Sequence, residues 1–403
     1  MSWVDEVMNA TEELESPRSF WYWSALSAIS AVVKDNIWLS RGGAYNLYPN
    51  IYVMLLAGSA LKKGPPVALA KNIVKAVNNT KVIVGRSSIQ GIMNELRIGQ
   101  TTPGGKIAAK SCGFVVASEF SASIVEDPAA FNLLTDLYDR HWNVGDWKSL
   151  LKSETFTLKD PTISMLVATN DPHLKAFVGE KDIFGGFFGR MFVIREEEVH
   201  RLNSLVDDIK SPIDYNKLAE YPKQLATLTG QFQSLSGTPQ GKLYDEWYNQ
   251  FYQNVKKAKI EDKTGTIGRF GDSVLKVAML LSISEKPELV ITYKAMEEAL
   301  KACEKFMEGI RKATMGHAGK AQYAEQKLLI IHELLSRENH MISREQLLRK
   351  YWMHFNSDEL DVMIRSLDEA GMLKPHNYGG VCMYQMNEKT AKELIEHFKA
   401  RGE

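Results

Sequence analysis

The order of segments predicts an α/β fold built on a largely parallel sheet, and three observations carry that expectation. Short unbroken apolar runs, NIYVMLLAG, GFVVASEF, PTISMLVATN and GRMFVIRE, have the composition of strands buried on both faces. Helix-periodic segments separate them, and strand–helix alternation is the signature of parallel pairing through crossovers. Apolar residues at 44% and charged residues at 24% of 403 are ordinary for a globular chain, and that length favours two or three folded units.

Residues 3 to 35 place Trp3, Val7, Phe20, Trp21, Trp23, Leu26, Ile29, Val32 and Val33 at helical spacing, broken at Pro17. Two short helices, a cap over residues 1 to 36, are expected. From Ile37 the pattern turns β-rich, NIWLSR and then NIYVMLLAG, with Gly-Gly and Tyr-Pro-Asn turn material between, and the second run reads as a buried strand ending at Gly58. There follow a loop from Ser59 to Pro66, a helix from Val67 to Val77, a strand from Lys81 to Val84, a helix from Ser87 to Leu96, and GFVVASEF. A helix from Phe131 to Tyr138, a polar and aromatic segment from Arg140 to Lys159, and the last two apolar runs bring the core strands to about five by residue 196. This α/β core spans residues 37 to 212.

Helical periodicity dominates from Tyr215 to Lys312, so residues 213 to 315 read as a helical subdomain. The Gly-containing linker ATMGHAGKAQ leads into a final unit over residues 323 to 403. Its helices run from Tyr323 to Leu335, Ser343 to Trp352 and Ser357 to Ala370, with a β-hairpin around Tyr378-Gly379-Gly380. Ser343 and Gln346 fit a capping box at the start of the second. Three helices and a hairpin make a winged-helix arrangement.

Lys plus Arg and Asp plus Glu each number 49, so the net charge is +0 and any nucleic-acid contact must come from local patches. No long apolar run is present to span a bilayer. The N-terminus, MSWVDEVMNATEELESP, carries acids where a secretory signal has a basic segment and an apolar run. Cys112, Cys303 and Cys382 have no paired spacing, which supports neither a disulfide framework nor a Cys-based zinc site. His317, His332, His340 and His354 lack metal-ligand spacing. A cytoplasmic protein without membrane contact is expected.

Three strand ends carry the candidate chemistry. The run NIYVMLLAG leads through GSALKKGPP straight into a helix, the order that phosphate binding uses: loop amides and the helix N-terminus face the anion and a lysine adds charge. The pattern GxxxxGK[ST] is not matched, because Lys63 and Gly64 are followed by Pro65 and Pro66 where a hydroxyl normally holds Mg²⁺. The alternative for this segment is a plain βα connection with two solvated lysines and proline at the helix start. The run FVVASEF delivers Glu119 to the carboxyl edge of the sheet, the place of a carboxylate that polarises an attacking water, with Ser118 where a metal-orienting Asp is usual. A surface Glu after a buried strand is the alternative. PTISMLVATN brings Thr169 and Asn170 to the same edge.

In the order and spacing of YPNIYVMLLAGSALKKGPPVALA, FVVASEF, DPTISMLVATNDPHLKAF, GGFFGRMFVIRE and GRFGDSVLKVAMLLSI, roughly residues 20 to 300, the chain resembles the RecA/AAA-like P-loop ATPases of phages, plasmids and mobile elements, many of them linked to primases. The resemblance implies an ATP- and Mg²⁺-dependent helicase or translocase in replication. It implies phosphate contacts from Gly58, Lys62, Lys63 and Gly64, and a catalytic and metal-orienting carboxylate at Glu119. A sensor at Asn170 and arginines at Arg190 and Arg269, the latter acting in cis or across a subunit boundary, complete the implied site. An arginine supplied in trans is worth 10³ to 10⁵ in rate, so a homo-oligomeric ring, expected to be a hexamer, follows. The alternative for both arginines is a surface salt bridge.

The expected partner is single-stranded or forked DNA, with a primase or replication initiator as a further one. Arg140, Trp142, Trp147, Lys148 and Lys152 mix cations with aromatics just before the sensor strand, where helicases of this class place a DNA-touching hairpin. TTPGGKIAAK and VKKAKIEDK read as solvated faces. In the final unit Arg344, Arg349, Lys350, His354, Arg365, Lys374 and His376 lie in and around the second and third helices and the hairpin. The third helix is acidic through Asp358, Glu359, Asp361, Asp368 and Glu369, so protein docking is favoured over duplex reading. The absent hydroxyl after Lys63 and absent Asp before Glu119 leave a second function open: a degenerate nucleotide- or DNA-binding assembly factor that recruits replication proteins.

Overall fold

A computed structural model describes residues 1–84, 89–98, 110–120, 128–139, 146–150, 155–170, 186–203, 213–257, 262, 265–315, 323–352 and 354–401. The chain divides into two compact units, Met1–Lys312 and Ala313–Glu403. Among the described residues no helix is long and apolar enough to cross a membrane.

The first unit opens with α1 (Trp3–Ala10), where Ser2 Oγ accepts from the Asp5 N–H at 3.1 Å and the Asp5 carboxylate accepts from the Ser2 N–H at 2.8 Å. Such a box satisfies two N-terminal amides and stabilises by about 1 kcal/mol. After Pro17, α2 (Arg18–Val33) is buried along almost its whole length. A helix apolar on all sides belongs inside a core, and α2 is a layer of this one. The strands β1 (Ile37–Arg41) and β2 (Tyr45–Leu47) pair as a hairpin.

Next come β3 (Tyr52–Leu56), α3 (Gly64–Val77), β4 (Lys81–Val84), α4 (Ile89–Ile98), β5 (Cys112–Ala117) and α5 (Pro128–Tyr138). The strands β6 (Trp147–Leu150) and β7 (Thr155–Leu158) form a two-stranded antiparallel sheet immediately before β8 (Thr162–Thr169), and a single 3₁₀ turn, Phe188–Arg190, leads into β9 (Met191–Arg195).

The five expected core strands form one parallel sheet in the order β4-β5-β8-β3-β9. Every residue of β3 and β8 is buried, which is why both read as continuous apolar runs. Trp23 of α2 packs on Phe192 with ring centroids 4.8 Å apart, whereas the Tyr52 hydroxyl donates to the Leu134 carbonyl of α5 at 2.9 Å. Tyr52 is in register with Met191, one residue before Phe192, so strand alternation puts α2 and α5 on opposite faces.

The short helices α6 (Tyr215–Leu218) and α7 (Glu220–Leu225) precede β10 (Gly230–Gln231), which pairs parallel with β1 in a separate sheet ordered β10-β1-β2. A stretch in which helical periodicity dominates thus also supplies a short strand, and NIWLSR stays outside the core sheet. Three long helices follow, α8 (Pro239–Lys257), α9 (Thr266–Glu285) and α10 (Tyr293–Met315).

The second unit contains α11 (Ala324–Leu335), β11 (Met341–Ser343), α12 (Arg344–Lys350), α13 (Ser357–Glu369), β12 (Lys374–Tyr378), β13 (Val381–Gln385) and α14 (Glu388–Arg401). Its strands order as β11-β13-β12 over a core that includes Ile330, Leu334, Leu347, Leu360, Met363 and Leu373. The capping box read from Ser343 and Gln346 is present.

Candidate functional site

Sheet order decides where a ligand site can form. The strands β3 and β8 are neighbours, yet the chain leaves β3 toward the far edge strand β4 and leaves β8 toward β9 on the other side. Adjacent strands whose connections run in opposite directions mark a topological switch point, the place outside the carboxyl ends where open α/β sheets bind ligands. The 58–64 loop leaves β3 there, Asn170 follows β8, and Glu119 follows β5 by two residues. Two bonds draw these ends together: the Ala57 N–H donates to the Thr169 carbonyl at 3.3 Å and the Phe120 N–H to the Ala168 carbonyl at 2.7 Å. With one strand between β3 and β5, Glu119 stands about 10 Å along the edge from the loop. Its side chain is exposed.

The loop's two lysines are both engaged. Lys63 Nζ donates to the carbonyls of Ala57 and Gly58, each at 2.7 Å. Lys62, at φ +47° in the left-handed region, has its carbonyl accepting from Ser16 Oγ at 2.7 Å and its Nζ 3.4 Å from Glu15. The Asn203 backbone N–H and then Lys62 hold the Glu15 carboxyl below its ordinary value. The segment joining α1 to α2 therefore rests on the loop. On the other flank of β3, Glu196 follows β9; its N–H donates to the Leu56 carbonyl at 3.1 Å and its carboxylate accepts from Ser19 Oγ at 2.5 Å. The sequence reading assigned nothing to Glu15, Ser16 or Glu196, because the first two reach the loop from the connection of α1 to α2 and Glu196 through the pairing of β3 with β9, contacts that no local pattern encodes.

These residues fit a phosphate in part. Gly64 opens α3 with nothing within 4 Å of where a Cβ would stand, so a ligand can approach the helix start. Pro65 and Pro66, in the first turn, carry no N–H, so the helix offers two fewer amide donors than usual. For Mg²⁺ the usual protein ligands are missing: no hydroxyl follows Lys63, and Ser118 precedes Glu119. No group of three or more His, Cys, Asp or Glu able to hold a metal occurs among the described residues.

Arg190 and Arg269 lie elsewhere. Arg190 immediately precedes β9, so it stands at the amino edge of the sheet, a strand length of about 17 Å from the carboxyl edge. It is 7% exposed; both Asp139 carboxylate oxygens accept from its guanidinium, as does the Gly186 carbonyl at 2.7 Å. Gly186 is at φ +78°, the left-handed region that favours glycine, and a Cβ there would stand 2.9 Å from Arg190 Nη1, so the guanidinium would have to shift. Arg269 is in the first turn of α9 and donates to the Gly265 carbonyl at 3.0 Å. The fold does not bring either arginine to Lys63 of its own chain.

Beside them lies a residue the sequence reading passed over. Lys276 of α9 is 2% exposed, donates to Asn50 O at 2.9 Å and Asn50 Oδ1 at 3.0 Å, and sits 3.8 Å from the Tyr138 ring centroid. Burial, the largest cause, pulls its ammonium down to about 7, with Asp139 and Asp272 opposing and Arg190 adding to the fall. An unfolded lysine keeps its proton to about 10.4. Between these values the unfolded chain binds more protons than the folded one, so this group makes stability rise with pH by up to about 1.4 kcal/mol per unit. Denaturant unfolding of wild type and K276M at about pH 7 and about pH 9 checks it: the gap between the two proteins should widen in favour of wild type at the higher pH, and a constant gap would refute it.

Comparison with family models and with curated proteins finds no match to this chain.

Of the DNA-contact candidates, Arg140, Trp142 and Lys152 lie outside the described residues. Lys148 is in β6, and half-buried Trp147 hydrogen-bonds the Asp136 carboxylate, which ties β6 to α5. In the second unit three candidate cations are spent on carboxylates: Arg344 on Asp361 at 2.9 Å, Arg349 on Glu345 at 2.8 Å and Lys350 on Glu333 at 2.6 Å. Arg365, Lys374 and His376 are exposed.

Proposed function

We propose that the Met1–Lys312 unit is a P-loop-type ATPase core, RecA/AAA-like in kind, that acts on single-stranded or forked DNA as a helicase or translocase motor in replication. One observation carries this reading: the strand order gathers the 58–64 loop, Glu119 and Asn170 at one carboxyl edge, at the point where the connections diverge. ATP phosphates lie on the loop in this reading, Lys63 exchanging its carbonyl partners for phosphate oxygens and Glu119 orienting the attacking water. Arg190 and Arg269, at the opposite edge, can serve such a site only from a neighbouring subunit, which is the role a ring would give them.

The second unit's order of helix, strand, helix, helix and hairpin supports a winged-helix reading. Its internally paired cations and its acidic α13 favour docking a basic protein partner, such as a primase or initiator, over a DNA duplex. A second function, an assembly factor that binds nucleotide without turnover, is favoured by Pro65, Pro66 and Ser118, which remove phosphate and metal contacts from the site.

Calorimetry of ATP binding tests the core claim. Charge-assisted hydrogen bonds of 1.5–3 kcal/mol put the expected loss in K63A at roughly 10- to 150-fold. Equal affinity of the two proteins, or none in either, removes the nucleotide reading. Phosphate release with and without single-stranded DNA separates the motor from the assembly factor.

A further inference from the structure

A cavity of about 360 Å³ opens at the amino edge of the sheet, its wall including Tyr45, Tyr138, Arg269, Ser273 and Lys276. The last three belong to α9 at positions i, i+4 and i+7, a polar stripe on a helix that is otherwise mostly buried and apolar. We propose that this cavity is an oxyanion site for a phosphoryl group, held by Arg269 and Ser273 and separate from the 58–64 loop.

Charge balance motivates the assignment. Among the described residues the guanidinium of Arg269 makes one hydrogen bond, to the Gly265 carbonyl, and no ion pair. Four of its five N–H donors remain, in the fork geometry that matches phosphate oxygens. It is half-buried, and desolvation, followed by the neighbouring charge of Arg190, lowers its pKa from the ordinary arginine value, with Asp139, Tyr138 and Asp262 opposing. A cation so placed stays charged and gains by acquiring an anion.

The two carboxylates in the wall are already engaged. Asp139 gives both oxygens to Arg190; Asp272 accepts from the Tyr45 hydroxyl at 2.9 Å and lies 3.6 Å from Arg41. Lys276 stands behind the stripe and gives its own hydrogen bonds to Asn50, so it is not a donor to the cavity. Ser273, 8% exposed, has no hydrogen-bond partner among the described residues for its hydroxyl, which lies one helical turn from Arg269 on the same face. Among the described residues the donors of this wall without a hydrogen-bond partner are thus most of the Arg269 guanidinium and the hydroxyls of Ser273 and Tyr138, a set that suits a compact tetrahedral oxyanion.

Titration of the full chain with inorganic phosphate, followed by calorimetry and by the Arg Nε–Hε NMR signals, tests the site. Saturable binding is expected, weakened roughly 10- to 100-fold in R269A and more modestly in R269K, which keeps the charge but not the fork. S273A should weaken it several-fold. The phosphate-induced shift of the Arg269 Nε–Hε signal should persist in K63A even though that variant loses any phosphate bound on the 58–64 loop, so failure here and failure of the nucleotide reading are distinguishable. An Arg269 shift that is absent in wild type or lost in K63A, or phosphate binding unaltered in R269A, overturns the proposal. If R269A does not fold, R269K, S273A and the wild-type Nε–Hε shift still decide it. A second titration with an oligothymidylate fixes the source of the phosphoryl group. Oligonucleotide binding that phosphate displaces and R269A loses indicates a nucleic-acid backbone, and phosphate binding without it indicates a free phosphate or nucleotide.

Discussion

Replacing Glu119 with glutamine is expected to cut steady-state ATP turnover by roughly 10²- to 10⁴-fold, the range general-base assistance supplies, while nucleotide affinity stays within a few-fold of wild type. Glutamine keeps the size and hydrogen-bonding reach of the side chain but cannot take a proton or carry charge. Glu119 is exposed, about 10 Å from the 58–64 loop along the carboxyl edge, which leaves room for a phosphoryl group and a water between them. Glu196 is the natural control, since β9 places it beside β3 on the opposite flank, with Ser19 already bonded to its carboxylate. Turnover that survives E119Q but collapses in E196Q would move the role to Glu196. Nucleotide binding with no turnover in wild type would leave the assembly-factor reading.

The sheet was legible because its strands are buried on both faces and read as unbroken apolar runs; β3 and β8 could hardly be mistaken. Their order was not, since it depends on pairings such as that of Ala117 with Val167, which no local pattern encodes. The start of α3 at Gly64 instead of Val67 shows a second limit: prolines are tolerated in a first turn whose N–H groups have no intrahelical partner. Lys63 and Glu119 could be proposed from their strand-end positions together with the order and spacing of the segments and the resemblance these carry. The setting of Arg190 could not, because Asp139 is 51 residues away and Gly186, which makes room for the guanidinium, looks like any loop glycine. For the amino-edge cavity a signal was present and went unread: Arg269, Asp272, Ser273 and Lys276 repeat at i, i+3, i+4 and i+7 inside GRFGDSVLKVAMLL, and a polar stripe in an apolar helix marks a wall facing something polar.

Removal of the Asp139 carboxylate tests how firmly that edge is held. D139A is expected to destabilise the protein by about 3–5 kcal/mol, because it leaves the Arg190 charge buried without its partner. The two side chains are 7% and 14% exposed, so water cannot easily replace the carboxylate, and the Gly186 carbonyl satisfies only one arm of the fork. Nearby Arg269 and Lys276 lose the same negative charge, which compounds the cost, since both feel Asp139 favourably. A double replacement, D139L with R190M, should recover most of the loss, because an apolar pair of similar volume removes both desolvation penalties at once. Urea unfolding of the wild type, D139A and the double variant measures this directly. A D139A cost under about 1 kcal/mol would show that water reaches Arg190 in solution. In that case the guanidinium is available to a neighbouring subunit without breaking a buried pair; a large cost means that any action in trans must first take Arg190 away from Asp139.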